Sequence, residues 1–401
     1  MSNNIISRVF GNELKYLQEV LETEFRSSSG SKMMGRFERE FSEKFGSKFA
    51  ISFVNGTATM HAALEAMGIG IDDEVIVPPL TMSSTTFAVL QANATPVFSD
   101  VNLETFQIDS SSIEKCITPN TKAIITVALY GLSPDMDPIM DLAKKHNLKV
   151  IEDNAECFLG LYKGKMVGTI GDCASFSFQS SKHLTSGEGG ILLTDSQVLA
   201  ESVRKIQSLG YAGVSATKGK ISKKDIQDPS YSRHVSMGWN YRMPELCCAV
   251  ALAQVENIEK LVNRRIEVAR IFSESTAEFK EWFVPQYVGN EYVNSYWTWV
   301  ARLEREDISW NLVRDRFQDN GGDGVYAAWK LTYLEPMFEK LSLLGREKFI
   351  SKNNIDRYKA GLCPVAEYLQ PRLMQFKTNY WDLDQAYKQA EILNSTLRSF
   401  N

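Results

Sequence analysis

The chain has 401 residues, with 44% hydrophobic and 23% charged side chains and a formal net charge of −5. This profile fits a soluble globular protein of two or three domains, or one large α/β domain with an appendage. It argues against a nucleic-acid surface as the main business of the chain and says nothing about fold.

No apolar run approaches the ~18 residues that a membrane span needs. Six cysteines (116, 157, 173, 247, 248 and 363) and four histidines (61, 146, 183 and 234) are scattered, with no C-x-x-C pair. Structural zinc is therefore not expected. Few, separated cysteines fit a reducing compartment, and the stretch Met1–Phe10 lacks a basic-then-apolar signal design, so a cytoplasmic protein is expected.

Leu14, Leu17, Val20, Leu21 and Phe25 recur at helical spacing over 11–26, and Phe37, Phe41 and Phe45 over 35–45, with a serine-rich break at 27–31. Residues 49–53 read as a strand, followed by Asn55-Gly-Thr-Ala-Thr59 and a helix from Met60 to Met67. Strand, small-residue turn and helix is an arrangement that receives a phosphate. Free N–H groups and the helix dipole favour an anion there, and Gly56 allows its approach. Thr57 or Thr59 serves equally well as a plain N-cap.

Strand patterns then alternate with helical ones. Strands are read at 74–77, 95–99, 121–128 and 148–153, and helices at 82–92 and 136–146. Continuous apolar strands between helices predict a mostly parallel sheet covered on both faces, with function at the carboxyl ends of its strands. Asp153 stands at such an end. Buried, its carboxylate needs a cationic partner; as a helix N-cap it needs none. Residues 162–168 read as a hairpin. Glycines 164, 168 and 171 do not make a G-x-G-x-x-G, which argues against a nicotinamide-dependent dehydrogenase.

Cys173–Phe178 alternates like a strand, and Gly187-Glu-Gly-Gly190 turns the chain into a second strand, Ile191–Thr194. Lys182 lies between them. Burial lowers a lysine's pKa and frees the amine as a nucleophile, the state that a Schiff-base lysine needs. A surface lysine in a hairpin is the other reading. A helix follows at 199–209, then a long polar segment, 211–236, basic at Lys218–Lys224. A long helical pattern after Glu245 runs to about 275 without Pro or Gly. The strand at 297–302 and helices at 310–319 and 384–399 predict a smaller α+β domain. The expected division is a helical segment at 1–34, a large α/β domain at 35–260 and the smaller domain at 261–401.

Gly56-Thr-Ala58, Asp153-Asn-Ala155, Ser175-Phe-Ser177, Lys182 with Gly187-Glu-Gly-Gly190, and Asn240-Tyr-Arg-Met243 occur in a fixed order. Together they resemble the DegT/DnrJ/EryC1/StrS sugar aminotransferases, from about Gly35 to the C-terminus. The resemblance implies the α/β fold of fold-type I, aspartate-aminotransferase-like enzymes. These have a large, mostly parallel sheet sandwiched by helices and a smaller α+β C-terminal domain. It also implies pyridoxal 5′-phosphate as cofactor, with Lys182 as the Schiff-base lysine that shuttles the proton and Asp153 paired with the pyridinium nitrogen. Gly56, Thr57, Ala58 and Ser177 would hold the phosphate. Asn240 would reach the phosphate of the neighbouring subunit in a homodimer. Ala155 would lie near the ring face and Glu156 near the 3′-oxygen, where many relatives carry Gln or His. Glu188 would support substrate or loop geometry. Most relatives stack an aromatic residue on the ring where this chain has Met82, whose thioether can still pack on it.

The implied reaction moves an amino group, from L-glutamate by family habit, to the carbonyl of a keto- or aldehydo-sugar. The stretch Gln179–Glu188 resembles the inosose and aminohydroxybenzoate branch. It also resembles the branch that aminates 8-oxo-3,8-dideoxy-octulosonate for lipopolysaccharide, the acceptor expected first. A nucleotide-linked 4-keto-6-deoxysugar is the alternative. A sugar 3-dehydratase, in which histidine replaces the lysine, is less favoured because Lys182 and not His183 takes the motif position.

Overall fold

The structure, a computed structural model, describes residues 7–25, 30–339 and 357–400. The start of the N-terminal stretch and most of the serine-rich break expected at 27–31 lie outside the described residues.

Helices α1 (Asn12–Glu22) and α2 (Met33–Phe45) come first. Phe37, Phe41 and Phe45 recur every four residues, so they share one face of α2. They bury against Phe158, Phe176 and Phe178. The helix stops at Gly46, whose φ of 69° is the left-handed conformation that glycine adopts freely.

The large sheet is built from β1 (Phe49–Phe53), β2 (Glu74–Val77), β3 (Thr95–Phe98), β4 (Thr121–Val127) and β5 (Lys149–Asp153). The hairpin β6 (Leu161–Tyr162) and β7 (Lys165–Met166) intervenes, and β8 (Cys173–Ser177) and β9 (Gly190–Thr194) complete the sheet. The strand order is β1-β9-β8-β5-β4-β2-β3. Strands β3, β2, β4, β5 and β8 pair in parallel, while β9 runs antiparallel to both β8 and β1. All five residues of β8 and of β9 are buried. Helices α3 (Gly56–Ala66), α4 (Ser84–Gln91), α5 (Ser110–Cys116), α6 (Met136–His146) and α7 (Gln197–Gln207) join or cover these strands.

Several elements differ from the sequence reading, most clearly at three places. Helix α3 begins at Gly56 and not at Met60, because Asn55 caps it: its Oδ1 accepts from the Ala58 N–H at 2.9 Å. The polar segment 211–236 contains a short helix, α8 (Lys223–Gln227), capped by Ser222. The long helix expected to run to about 275 is two helices, α9 (Glu245–Val255) and α10 (Ile258–Ser275). Asn257 breaks it: its side-chain amide donates back to the Ala253 carbonyl, competing with the backbone pattern. Beside it, Glu256 is held by Asn12 and Tyr16 of α1.

Beyond α10, strands β10 (Phe283–Pro285), β11 (Tyr292–Val293), β12 (Thr298–Leu303), β13 (Tyr326–Ala327) and β14 (Leu373–Lys377) alternate with helices α11 (Trp310–Asp319), α12 (Pro336–Glu339), α13 (Pro364–Leu369) and α14 (Leu383–Arg398). An antiparallel sheet of order β10-β12-β14-β13 packs Trp299 and Phe376 against Phe272 of α10 and Leu393 of α14. Strand β11 leaves it to pair with β6. Leu331, Tyr333, Tyr358 and Leu369 bury in the same core as Val75 and Phe98 of the large sheet. The smaller body is thus packed against the larger one, and the groove between them holds the site described next.

Candidate active site

Several distant chain segments meet at the carboxyl ends of the parallel strands. They enclose a cavity of about 350 Å³ bordered by Gly56, Thr57, Met82, Asp153, Ala155, Glu156, Ser177 and Lys182. Gln179, Glu188, Trp297 and Trp329 border it too.

The α3 end forms one side. With the Ala58 N–H taken by Asn55, the first-turn N–H groups left without an intrahelical acceptor are those of Gly56 and Thr57. Close packing keeps this end in place. A Cβ on Gly190 would lie 2.4 Å from the Asn55 oxygen and 2.8 Å from the Gly56 nitrogen. Only glycine lets β9 start this near the helix. Ser177, at the end of β8, brings a hydroxyl to the same cavity.

Asp153 ends β5 and is 3% exposed. Its Oδ2 accepts from the Thr85 hydroxyl at 2.8 Å and its Oδ1 from the Ala155 N–H at 3.2 Å. Burial pushes its pKa up; Thr85, the Ala155 N–H and the charge of Lys182 oppose that shift. Among the described residues no cation comes within ion-pair distance of it, so a buried carboxylate faces the cavity without an ionic partner.

Lys182 sits in an irregular turn after β8, with its side chain 11% exposed. Its Nζ donates to Glu156 Oε1 at 3.3 Å and stands 4.4 Å from the centroid of the Trp297 ring. Glu156 is 4% exposed. Its other oxygen accepts from the Tyr130 N–H at 3.0 Å. Burial raises its pKa against the opposing pull of Lys182 and the Tyr130 N–H. Tyr130 holds a φ of 62°, a left-handed conformation that is strained for a residue with a side chain.

The structure separates the expected residues into groups. Gly56, Thr57, Met82, Asp153, Ala155, Glu156, Ser177 and Lys182 share the cavity. Ala58 is buried in α3 behind it, with its N–H committed to the cap. Asn240 is exposed and pairs with Ser208 away from the cavity. His183, beside Lys182 in sequence, is fully buried against Phe158 and bonds the Ser295 carbonyl; it does not border the cavity. Neither Lys218 nor Lys220 borders it, and Lys220 pairs with Glu245 at 2.8 Å. Sequence reasoning missed Thr85, Tyr130, Trp297 and Trp329. No local pattern marks them, since they arrive from distant segments.

A cationic ring nitrogen, an anionic group and a carbonyl that reacts with an amine would each find a counterpart here: Asp153, the open end of α3 and Lys182. Among the described residues, no cluster of three or more His, Cys, Asp or Glu could hold a metal ion, and no helix is long and apolar enough to cross a membrane.

Comparison with known proteins agrees with this geometry. The sequence pattern of the DegT/DnrJ/EryC1/StrS aminotransferase family matches residues 9–357. A GDP-perosamine synthase of Caulobacter vibrioides is 38% identical over 297 residues, 74% of this chain and 76% of that protein. The spore coat polysaccharide biosynthesis protein SpsC of Bacillus subtilis is 39% identical over 352 residues, 87% of this chain and 88% of that one. An aminotransferase structure from Psychrobacter cryohalolentis superimposes with a TM-score of 0.85 at 27% identity, covering 97% of each chain. The chain belongs to the DegT/DnrJ/EryC1/StrS family of sugar aminotransferases.

Proposed function

We propose that this protein is a pyridoxal-phosphate-dependent transaminase that moves an amino group from L-glutamate to the keto carbon of a nucleotide-linked sugar. One observation carries the reading. The Lys182 amine, the ionically unpartnered Asp153 carboxylate and the open N-terminus of α3 border a single cavity. When bound, the cofactor supplies an electron sink for the carbanion that forms at the amine-bearing carbon.

The chain supplies the rest. The Gly56 and Thr57 N–H groups and the Ser177 hydroxyl hold the phosphate. Asp153 would favour a proton on the ring nitrogen of the bound cofactor through its buried negative charge. The Lys182 Nζ takes and returns the proton at the reacting carbon. Glu156, near the expected place of the 3′-oxygen, has its oxygens engaged by the Tyr130 N–H and by Lys182, and burial raises its pKa. Met82, 49% exposed at the cavity edge, would pack on the ring of the bound cofactor. Trp297 and Trp329 exclude water from the reacting carbon. Asn240, exposed and outside its own cavity, serves the second subunit of a homodimer.

The names of the relatives favour the acceptor. A GDP-perosamine synthase carries a nucleotide-linked amino sugar in its name. None of the relatives compared above is named for the octulosonate expected first. The 3-dehydratase reading loses ground because His183 is buried away from the cavity.

Single-turnover amination tests the proposal. Protein loaded with pyridoxamine phosphate is offered a GDP-4-keto-6-deoxysugar and, separately, the 8-oxo octulosonate. Return of the pyridoxal-form absorbance with the nucleotide sugar alone is expected. Return with the octulosonate alone would overturn the acceptor, and return with neither would discard both.

A further inference from the structure

Lys182 is carried by a turn outside any regular strand or helix, and its carbonyls are not left to water. Arg8 donates to the Ser180 carbonyl at 2.9 Å, to that of Lys182 at 2.8 Å and to that of His183 at 3.2 Å. Arg265 of α10 donates to the Ser181 carbonyl at 3.1 Å and to that of Lys182 at 3.0 Å. The Trp297 indole N–H adds a bond to the Ser181 carbonyl at 2.9 Å. The Lys182 carbonyl therefore receives two guanidinium groups at once.

Arg265 is 1% exposed. Among the described residues neither it nor Arg8 has a carboxylate within ion-pair distance. Two neighbouring cations on neutral carbonyls, Arg265 buried and Arg8 half-buried, are a costly way to fill space, since an apolar pair would pack without that cost. Arg265 has a second set of partners. It donates to the Trp297 carbonyl at 2.7 Å and to the Thr378 hydroxyl at 3.2 Å. Trp297 leads into β12 and Thr378 leaves β14. The same guanidinium thus grips the Lys182 peptide and the backbone of the residue whose ring lies under the Lys182 amine.

We infer that Arg265, with Arg8, is a positioning pair that fixes the Lys182 peptide and registers it to Trp297, so that the smaller sheet sets where the reacting amine stands. The inference rests on Lys182 being the reacting amine. Neither arginine borders the cavity that holds the Lys182 amine, and the pair acts through the lysine.

Three variants test it, with the full chain and pyridoxal phosphate. In Arg265→Met the half-reaction with L-glutamate should slow about 100-fold while the KM for glutamate stays within about threefold, because misplacement penalises the reacting geometry more than donor binding. The cofactor absorbance maximum should shift. Without cofactor, amide hydrogen exchange in residues 180–184 should rise about tenfold, with exchange in β4 and β5 unchanged. Arg265→Lys, which keeps the charge and some donors, should recover the rate to within about tenfold of wild type. Arg8 lies ahead of α1, so Arg8→Ala should fold normally and slow the half-reaction about tenfold.

Wild-type rate and absorbance in Arg265→Met would overturn the inference. If that variant does not fold, a wild-type rate in Arg8→Ala would do so alone. The functional reading fails separately, on Lys182→Ala retaining turnover.

Discussion

The Lys182 amine stands 3.3 Å from the Glu156 carboxylate, and that carboxylate is anchored from its other side by the N–H of a strained Tyr130. The amine proposed to react is thereby oriented by a group that is itself oriented. Lys182→Ala should abolish turnover, by at least about 10³-fold, because no other amine borders the cavity among the described residues. The fold should survive, since the Lys182 side chain borders the cavity and Glu156 keeps the Tyr130 bond. Circular dichroism and steady-state turnover check both halves; near-normal turnover would sink the mechanism.

Asp153 should make the cofactor-free protein sensitive to pH. Its folded pKa is raised, chiefly by burial. A carboxyl with a raised folded pKa contributes stability in full below its unfolded value, about 3.9, and that contribution is lost as pH rises through the folded value. Asp153→Asn should remove this loss. At pH 7 to 8 its cofactor-free form should melt about 1–3 °C above wild type, with the gap closing below pH 4. The same change should weaken the half-reaction about 100-fold or more, since a neutral amide no longer favours a proton on the ring nitrogen. Thermal melts across pH with and without cofactor decide it. A variant less stable than wild type at pH 8 would refute the account.

Much of this site was legible because its parts are local. Asp153 and Ser177 stand at strand ends, Gly56 and Thr57 follow a strand directly, and Lys182 lies between an alternating strand and a glycine turn. Each reading needed only neighbours in sequence. What escaped was tertiary. Thr85 meets Asp153 across 68 residues, and Trp297 lies 115 positions beyond Lys182 (297 − 182). The antiparallel course of β9 depends on how the irregular segment 178–189 returns the chain, and the two fully buried strands it joins do not encode direction. The break between α9 and α10 has no Pro or Gly to announce it, because an asparagine side chain made it. The short strands of the smaller sheet went largely unread: β13 has only two residues and takes its partner from β14, far along the chain.

Gly190→Ala probes the α3 end of the cavity without removing a polar group. The added methyl would meet the Asn55 oxygen at 2.4 Å, its carbonyl carbon at 2.5 Å and the Gly56 nitrogen at 2.8 Å. All three are backbone, so neither a rotamer change nor a flexible tip relieves the clash. Separating β9 from the start of α3 should cost about 1–3 kcal/mol of stability. It should also weaken cofactor binding about 10- to 100-fold by displacing the Gly56 and Thr57 N–H groups. Denaturant unfolding and an absorbance titration of the cofactor-free protein measure the two effects. Wild-type cofactor affinity would show that the end of α3 does not hold the phosphate.

Met82 offers the opposite experiment, a substitution expected to help. Its side chain is 49% exposed at the edge of the cavity, so a larger group can enter without overpacking the core. A thioether on an aromatic ring is worth about 0.3–1.5 kcal/mol and an aromatic pair about 0.5–1.5 kcal/mol. Met82→Phe should therefore bind pyridoxal phosphate as tightly as wild type or up to about fivefold more tightly, and Met82→Ala should bind it about 2- to 10-fold more weakly. Stability should barely change in either, because little buried area is lost. Cofactor titrations of the three proteins, each melted in parallel without cofactor, give the answer. Equal affinity in Met82→Ala would remove Met82 from the ring contact and leave it as part of the cavity rim.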